Sequence, residues 1–339
     1  MKLIITNFPA YYKISLFNRI NEKIEIFVIY TSRDIYSDGR NSDFISGQMN
    51  FKHVFLENTS TLNRLKQLKK IYKSNQWDEV IVSGWDSRES IFAFFLSAKE
   101  KTSLICESAV YESKLTGIKG FIKRCLLKHV SKVYVPGIAN GEIFKRLNFQ
   151  GKIVYTGSCG ILNYVPQPAY NSKKTVKNFL YVGRLIPVKN LELLITVFNE
   201  LPDLQLNIIG EGILKSELQS ISKENIHFLG YINNKDLSKY YQENDVFMLP
   251  SLSEPWGLVV EEALNNGLPV IVSNRVGCNK DLATKETGLI FEYNNPDSLK
   301  KAISQITNID FYNSLRLNIS KMDFNQRAEN QVEKYLEKL

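Results

Sequence analysis

The hydrophobic and polar positions of this chain follow two alternating patterns. Short runs rich in β-branched and aromatic residues, such as 2–6 and 132–135, are separated by longer stretches in which apolar residues recur every three or four positions. Strands that alternate with amphipathic helices predict parallel sheets covered by helices on both faces. In the first half the predicted strands are 2–6, 24–30, 79–83, 103–106, 132–135 and 152–156, and the predicted helices lie near 11–20, 61–74, 87–98, 116–130 and 140–148.

A segment rich in Gly, Pro, Asn and Ser, 156–174, interrupts this alternation and is predicted to be a linker. A second series follows it, with strands at 178–183, 204–210, 226–230, 245–250, 268–273 and 288–292, and helices at 190–200, 213–222, 235–243, 257–266 and 296–307. The stretch 324–339 is predicted to be a terminal amphipathic helix. The pattern therefore predicts an α/β protein with two doubly wound domains, residues 1–165 and 166–323.

Composition narrows the class of protein. Hydrophobic residues make up 44% and charged residues 23% of the 339 positions, which excludes a mostly disordered chain. No apolar run reaches the roughly 18–20 residues that span a bilayer, and the first residues lack the apolar core of a signal peptide. The four cysteines are scattered and only three histidines exist, so neither a disulfide framework nor a zinc site is indicated. We expect reduced cysteines and a cytoplasmic location.

The formal net charge of +8 is unevenly distributed. Residues 1–165 hold 24 basic and 14 acidic side chains, whereas residues 166–339 hold 19 and 21, so an anionic partner is expected for the first domain. Within 117–130, an apolar stripe at helical spacing is flanked by Lys119, Lys123, Arg124 and Lys128. This pattern is typical of a helix on an anionic membrane surface, and equally of a hydrated basic face. No recognition motif accompanies the charge, so nucleic acid is not expected as a partner.

The candidate chemistry lies in the second domain. Glu254 and Glu262 are eight residues apart and flank the predicted start of a helix at Gly257, Leu258 and Val259. The first N–H groups of a helix have no partner within it, and a helix start beyond the carboxyl end of a strand is where open α/β sheets bind phosphates. Two carboxylates beside such a start can accept hydrogen bonds from hydroxyl groups while the backbone holds an anion.

Three further strand ends supply complementary groups. Gly183 ends one predicted strand and is followed by Arg184 and Lys189, cations suited to phosphate oxygens unless they are merely exposed surface charges. Gly212 follows a second strand end and Tyr231 follows a third. Because the carboxyl ends of parallel strands meet at one edge of a sheet, these residues predict a site for a nucleoside-diphosphate sugar.

The segments VGRL-x3-KN, IIGEG, FLGY, Glu-x7-Glu and GLPVI, between about residues 179 and 302, resemble glycosyltransferase family 4, the retaining enzymes with the GT-B fold. The resemblance implies two Rossmann-like domains facing a cleft, the first binding the acceptor, the second binding the donor, and a terminal helix that crosses back to the first. It implies metal-independent, hexosyl-type transfer to a glycan or lipid-linked acceptor in surface polysaccharide or glycoconjugate biosynthesis. The enzyme would need no cofactor and would be cytoplasmic or peripheral on the inner face of the membrane.

The resemblance also assigns roles to residues. Arg184 and Lys189 would hold the diphosphate, and Glu254 would contact the transferred sugar, which makes these three the candidate catalytic residues. Glu262 would accept hydrogen bonds from ribose hydroxyls. The other candidate donor-binding positions are Gly257, Leu258, Val259, Gly183, Gly212 and Tyr231.

The first domain departs from the family pattern. Its first predicted strand is followed by TNFPAYYK where many relatives have paired glycines, and no histidine ends a middle strand. Gly84, Trp85, Glu107 and Ser108 occupy the comparable strand ends. We expect Glu107 and Trp85 on the acceptor or sugar side of the site, with a structural role for each as the alternative.

Several alternatives accompany this prediction. Glu261 is expected to be a surface residue, because neighbouring helical positions diverge by about 100° and Glu262 fits the family spacing. Trp256 would either select the sugar or acceptor or pack under its loop. The alternative functions are a sugar-nucleotide epimerase, a phosphorylase and a catalytically idle nucleotide-binding subunit. A nicotinamide dehydrogenase is excluded because no G-x-G-x-x-G follows an early strand.

Overall fold

A computed structural model of the chain describes residues 1–32, 47–57, 59–161 and 164–337. The chain divides into two compact units. Unit 1 holds the residues up to 162 together with those from Gln326 onward, and unit 2 holds residues 163–325. Each unit is built on one parallel sheet with the helices between its strands, so the predicted α/β class with two Rossmann-like domains is confirmed.

Sheet A, in unit 1, has its strands in the order β3-β2-β1-β4-β5-β6-β7, all parallel within the described residues. They are β1 (Lys2–Thr6), β2 (Ile26–Tyr30), β3 (Lys52–Phe55), β4 (Glu79–Ser83), β5 (Thr102–Ile105), β6 (Lys132–Val135) and β7 (Lys152–Tyr155). The chain winds outward in one direction from β1 and in the other from β4. The boundary between these two strands is therefore the switch point of sheet A.

Successive side chains of sheet A face two separate cores, because side chains alternate along a strand. Leu3, Val80 and Val133 belong to a core shared with four helices, α2 (Thr61–Lys73), α3 (Arg88–Ala93), α4 (Gly117–Leu127) and α5 (Ile138–Arg146). Ile4 and Tyr134 belong to a core on the opposite face, shared with α1 (Tyr11–Lys23) and with α12 (Phe324–Leu336) from the end of the chain. Both faces of sheet A are covered, as its nearly all-apolar strands require.

Helix α12 packs on unit 1 through a ring stack and a buried polar network. Tyr335 stacks on Tyr134 with ring centroids 4.5 Å apart. The Lys2 ammonium donates to the Tyr335 carbonyl, and the Lys132 ammonium donates to the Glu337 carbonyl over 3.3 Å. Both lysines also pair with the buried Glu79 carboxylate, at 2.7 and 3.5 Å. The predicted terminal helix extends two residues, 338 and 339, beyond the described part of the chain.

Sheet B, in unit 2, has its strands in the order β10-β9-β8-β11-β12-β13, again parallel within the described residues. They are β8 (Asn178–Val182), β9 (Gln205–Ile209), β10 (Ile226–Gly230), β11 (Val246–Leu249), β12 (Val270–Ser273) and β13 (Gly288–Phe291). The helices are α6 (Leu191–Phe198), α7 (Lys215–Ser220), α8 (Leu237–Glu243), α9 (Leu258–Asn265), α10 (Pro296–Ile306) and α11 (Ile309–Ile319). The switch point of sheet B lies between β8 and β11.

Among the strands and α-helices of the described residues, β3 and α11 were not predicted, and several predicted helices were too long. Edge strand β3 carries a lysine and a histidine, so its polarity concealed it. Helix α11 follows α10 after only two residues and is started by the Asn308 side chain, which accepts from the Phe311 N–H. The helix predicted at 87–98 ends at Ala93. Among the described residues, no helix combines the length and the apolar composition needed to cross a bilayer.

Candidate active site

The predicted donor-site residues lie in loops around the switch point of sheet B. β8 and β11 are adjacent parallel strands, and the chain winds away from them in opposite directions. The loops that leave their carboxyl ends therefore diverge and open a crevice, which is where open α/β sheets bind ligands. The loop after β8 begins at Gly183, and the loop after β11 begins at Pro250.

Hydrogen bonds join these two loops. The loop after β8 contains a 3-10 turn, Pro187–Lys189, and enters α6 through Asn190, whose φ of 56° is left-handed. Asparagine is one of the few residues other than glycine that adopt this conformation readily. The Asn190 side-chain amide donates to the Pro250 carbonyl over 3.2 Å, and the Leu252 N–H donates to the Val188 carbonyl over 2.9 Å. Asn190 thus fixes the turn that carries Lys189.

Lys189 and Glu254 form an ion pair across the two loops. The Lys189 ammonium donates to Glu254 Oε2, and each side chain keeps 15% of its exposure. The pair is therefore largely withdrawn from water, where screening by solvent and salt is weaker than at an open surface. One cation and one carboxylate of the predicted catalytic set are in direct contact.

The loop after β12 fixes the backbone of Glu254. The Glu254 N–H donates to the Arg275 carbonyl over 3.1 Å, and the Glu254 carbonyl accepts from the Gly277 N–H over 2.8 Å. Only glycine fits at position 277, because a Cβ there would lie 1.9 Å from the Pro255 carbonyl oxygen. The backbone of Glu254 is thus held by the loop after β12, and its carboxylate is held by Lys189.

Arg184 lies beside this pair, with its side chain exposed. Its carbonyl accepts a hydrogen bond of 3.0 Å from the hydroxyl of the buried Tyr181. The pKa of Tyr181 is raised well above its ordinary value, mainly by burial and further by the negative charge of Glu254, while the positive charge of Arg184 opposes the shift. Both charges act on one phenol, so the charged groups of Arg184 and Glu254 lie in the same region of unit 2.

Helix α9 begins at Leu258, four residues after Glu254. Its N-cap, Gly257, has a φ of 102°, a left-handed conformation that favours glycine. The Val260 N–H bonds back to the Gly257 carbonyl over 2.9 Å. The N–H groups of Leu258 and Val259 come before the first helical hydrogen bonds, as expected at a helix start that can hold an anion.

The two neighbouring glutamates of α9 have different partners. Glu262 is half-buried and accepts a hydrogen bond of 3.0 Å from the Tyr241 hydroxyl of α8. The prediction that Glu261 is a surface residue is wrong, because it is only 5% exposed and accepts the indole N–H of the buried Trp256. Trp256 is buried under its own loop and covers the side of α9 that the helical spacing had assigned to solvent. The structure thus shows Trp256 packing under its loop, one of the two roles expected for it.

The rim of the crevice is made of glycine turns that pack against each other. A Cβ on Gly210 would lie 1.9 Å from the Gly183 carbonyl oxygen, and a Cβ on Gly212 would lie 2.3 Å from the Leu185 carbonyl oxygen. Tyr231, after β10, is 41% exposed and donates to Asn233 over 3.4 Å. The loops after β8 and β9 thus pack against each other, and Tyr231 lies in the loop after the next strand of the sheet, β10.

The candidate residues of unit 1 lie at the carboxyl edge of sheet A. Glu107 pairs with Lys13 at 3.1 Å, and the Lys13 side chain is only 8% exposed. The Lys13 ammonium is also 3.5 Å from the Ser83 hydroxyl, at the end of β4. Trp85 is 8% exposed, and the Lys123 ammonium lies 4.8 Å from its ring centroid. Glu107 is thus oriented by a buried cation, and Lys123 turns inward rather than toward solvent.

Sequence reasoning missed the residues that position others. Asn190, Tyr241 and Lys13 each contact a predicted site residue or its loop. Lys13 had a usable signal, since it stands in the first turn of the helix after β1, where a Rossmann-like sheet places ligand-facing groups. Among the residues that the structure describes, no three His, Cys, Asp or Glu side chains cluster as metal ligands would.

Comparison with protein families places this site in context. Residues 167–328 match the family model described as glycosyl transferases group 1. A Klebsiella pneumoniae protein, described as an uncharacterized 41.2 kDa protein in the cps region, is 26% identical over 73% of this chain and 64% of its own length. An Escherichia coli UDP-Gal:alpha-D-GlcNAc-diphosphoundecaprenol alpha-1,3-galactosyltransferase is 34% identical over 41% of this chain and 39% of its own length. The matched part of the chain spans less than two thirds of these relatives.

Solved structures match over the whole chain. Sucrose-phosphate synthase from Thermosynechococcus elongatus superposes with a TM-score of 0.76 at 17% identity, covering 99% of this chain and 98% of that one. Anabaena HepE in complex with UDP and glucose superposes with a TM-score of 0.68 at 14% identity, covering 100% of both chains. At such identities the likeness shows the fold. The chain has the fold of the GT-B glycosyltransferases, and its residues 167–328, which include the candidate residues of unit 2, match the group 1 glycosyl transferases.

Proposed function

We propose that the chain is a retaining glycosyltransferase that moves a sugar from a nucleoside-diphosphate sugar to a hydroxyl group of a glycan or lipid-linked acceptor. The observation that carries the proposal is the Lys189–Glu254 pair beside Arg184 at the switch point of sheet B. The cations suit a diphosphate, and the carboxylate suits sugar hydroxyls. Both lie in the segment that matches the group 1 glycosyl transferases.

Each donor group has a proposed partner. The Arg184 guanidinium can fork onto two phosphate oxygens, and Lys189 acts as a point charge beside them. Glu254 keeps Lys189 in place before the donor arrives, and its carboxylate then accepts hydrogen bonds from the transferred sugar. The Leu258 and Val259 N–H groups add donors for the diphosphate, and Glu262 accepts from the ribose.

The proposed reaction needs no side chain of the protein as a base, because the leaving diphosphate takes up the acceptor proton. The bond between the anomeric carbon and the diphosphate oxygen breaks, and the bond to the acceptor oxygen forms on the same face of the sugar. The acceptor proton passes to the leaving diphosphate, which gives a nucleoside diphosphate and a glycoside of retained configuration. Negative charge grows on the leaving oxygen, so cations aimed there stabilise the transition state more than the ground state. Arg184 and Lys189 supply this charge, and we expect activity to persist in EDTA.

The relatives suggest the kind of donor and acceptor. The Klebsiella pneumoniae protein belongs to a cps region, and the Escherichia coli enzyme is named for UDP-Gal and a diphosphoundecaprenol-linked sugar. HepE was solved with UDP and glucose. We therefore propose hexosyl transfer from a uridine nucleotide in surface-polysaccharide or glycoconjugate synthesis. A cytoplasmic site of action is supported by the four cysteines, all within the described residues, which form no disulfide.

A sugar-nucleotide epimerase, a phosphorylase and an idle subunit are less well supported. An idle subunit would tolerate the loss of Arg184, Lys189 or Glu254, whereas all three are present and Lys189 pairs with Glu254, which supports an active enzyme instead. The other two activities share the scaffold, but neither is suggested by the family match or by the names of the relatives described above.

The test is a panel of nucleotides and nucleotide sugars. We expect UDP or a UDP-sugar to raise the melting temperature, and nucleotide release to depend on an added acceptor. The anomeric configuration of the product, measured by NMR, tests retention separately. If UDP, GDP and every sugar nucleotide in the panel leave the melting temperature unchanged, the donor site is wrongly assigned.

A further inference from the structure

Helix α4 has two apolar faces, although a helix on the surface of a domain needs only one. Leu126 and Leu127 are each 6% exposed and face the core of unit 1. On the other side of the helix, Ile118 is 80%, Phe121 is 62% and Ile122 is 47% exposed. At about 100° per residue these three side chains lie on one narrow stripe, directed away from the core. Within the described residues of unit 1 nothing covers this stripe.

Cations border the stripe on both sides. Lys119 lies along one edge, and Arg124 and Lys128 lie along the other, all three exposed. From 110 to 130 the chain has five cationic side chains and one acidic residue, Glu112, whose carboxylate accepts from the Ala109 N–H over 3.1 Å. Apolar side chains within a cationic border complement a surface that is anionic outside and hydrocarbon inside.

A depression lies next to the start of α4. Its volume is 670 Å³, and four of its nine lining residues are cationic, Lys114, Lys119, Arg124 and Arg146, with no acidic residue among the nine. Arg146 also pairs with Glu142 at 3.1 Å, outside this lining. Ser113 and Thr116 add hydroxyl groups. This lining suits a phosphate group, and the most exposed apolar residue of α4, Ile118, belongs to it as well.

We propose that α4 and this depression dock unit 1 on an anionic phospholipid bilayer. Ile118, Phe121 and Ile122 insert among the lipid chains, and the depression receives a headgroup phosphate. Lys123, which the sequence pattern had grouped with the other cations, takes no part because it lies over Trp85. The inference rests on the proposed function in one respect, since a lipid-linked acceptor would require the enzyme at a membrane.

The test is co-sedimentation of the full chain with phosphatidylcholine vesicles, with and without phosphatidylglycerol. Wild type should bind the anionic vesicles and be released by salt.

The triple variant K119Q/R124Q/K128Q should bind the anionic vesicles on the order of 100-fold more weakly, since each basic residue near the surface contributes about 5-fold to binding. The double variant F121S/I122S should weaken binding at least about 10-fold while leaving the core contacts of α4 intact. K114Q should reduce binding to anionic vesicles only.

Matched controls come from unit 2. The triple variant K235Q/K239Q/K280Q removes three exposed cations, and I290S/L317S removes two exposed apolar side chains. Both should bind vesicles like wild type. Equal binding of wild type to neutral and anionic vesicles, or equal losses in the α4 variants and the controls, would overturn the inference. Melting temperatures with UDP, measured on the same proteins, separate this outcome from failure of the donor site.

Discussion

At the scale of single residues, several charged candidate residues have a partner within their own unit. Lys189 is held by Glu254, Glu262 by Tyr241, and Glu107 by Lys13. A side chain that already has its orientation loses less freedom when a ligand binds, and its charge acts without reorganisation when the reaction occurs. These contacts would therefore lower the cost of ordering the side chains in the proposed reaction.

Removing either diphosphate cation should reduce turnover. Lys189→Ala and Arg184→Ala each delete a proposed charged partner of the leaving group, and hydrogen bonds to charged groups contribute about 1.5–3 kcal/mol. We expect a loss of roughly 10- to 100-fold in kcat/KM, measured by nucleotide release. Lys239→Ala, which removes a cation that is 73% exposed on α8, is the control. Near-wild-type rates in both site variants would remove them from the mechanism.

Removing the hydroxyl that orients Glu262 should weaken donor binding more than chemistry. Tyr241→Phe deletes the 3.0 Å hydrogen bond and keeps the buried ring, so we expect a loss of about 0.5–1.5 kcal/mol in donor affinity. The measurement is KM for the donor against kcat in steady-state kinetics. Tyr240→Phe, the neighbouring position on α8, is the matched control. A fall in kcat with KM unchanged would contradict a ribose-binding role for Glu262.

The residues that could be predicted are those whose position follows from strand direction. Arg184, Lys189 and Glu254 follow strands that had to be parallel, so their shared edge could be inferred from sequence alone. Glu261 could not, because helical spacing shows which sides of α9 differ but not that Trp256 covers one of them. The partner of Asn190 is sixty positions away, and no local pattern reveals such a contact.

At the scale of elements, α12 is held to unit 1 by its sides and by its carboxyl end. Glu329 pairs with Arg19 and Lys23 of α1, at 3.1 and 2.9 Å. At the helix end, the ammonium groups of Lys2 and Lys132 donate hydrogen bonds to the main-chain carbonyls of Tyr335 and Glu337, where the helix dipole favours positive charge. The helix is therefore docked by charge as well as by the Tyr335 ring.

Acid should loosen this helix. The pKa of Glu329 lies below its ordinary value of 4.5, mainly because Lys23 donates a hydrogen bond to it. The pKa of Glu337 is also lowered, by hydrogen bonds from Lys152 and then Lys334. A carboxyl group whose pKa is lower in the folded state stabilises the fold at pH values above its pKa in the unfolded state. This stabilisation is lost as the pH falls through its pKa in the folded state. We expect the free energy of unfolding to fall below pH 4.5 less steeply in E329Q/E337Q than in wild type.

The measurement is urea unfolding at a series of pH values. Glu333→Gln, which changes an exposed carboxylate of the same helix, should keep the wild-type pH dependence. The double variant should also be less stable than wild type near neutral pH, because the ion pairs of Glu329 and Glu337 are fully formed there in wild type. Parallel pH curves for all three proteins would show that these pairs do not hold α12.

Element prediction succeeded where amphipathic spacing and polarity agreed. Helix α4 has apolar residues at regular spacing on both of its faces, so its position was predictable, although which face is buried was not. β3 escaped because an edge strand exposes one side and here carries Lys52 and His53. The short gap between α10 and α11 left no composition change to mark a new helix.

At the scale of the whole molecule, the two units differ in charge and in proposed task. Residues 326–339 bring three cations and three carboxylates, so adding them to unit 1 leaves its basic excess unchanged. Unit 2 is close to neutral, and Arg184 and Lys189 are the two of its cations that we propose hold the diphosphate. Unit 1 spreads its charge over helix surfaces, as expected for a partner larger than a nucleotide.

A nucleotide should stabilise unit 2 selectively. Trp256 is the single tryptophan of unit 2, and Trp77 and Trp85 belong to unit 1. W77F/W85F therefore leaves fluorescence that reports on unit 2 alone, whereas W256F leaves fluorescence that reports on unit 1. At 100 times its Kd, UDP should stabilise unit 2 by about 2.7 kcal/mol in urea unfolding.

Comparison of the two reporters decides this prediction. A shift of the Trp256 transition with a smaller shift of the Trp77 and Trp85 transition is expected. Equal shifts would show that the units unfold as one cooperative structure, and no shift of Trp256 would contradict a nucleotide site in unit 2. Adenosine diphosphate in place of UDP serves as the control ligand.

The position of α12 also dictates the order in which the protein can be completed during synthesis. Sheet A is made first, but the helix that covers its second face follows residues 163–325. At typical elongation rates of 5–20 residues per second, roughly 10–30 s separate the two on the ribosome. Throughout that interval Tyr134 and the lysines that pair with Glu79 lack their partners at the end of the chain, and the whole of unit 2 is synthesised before those partners appear. The domain that is synthesised first is therefore the one that is finished last.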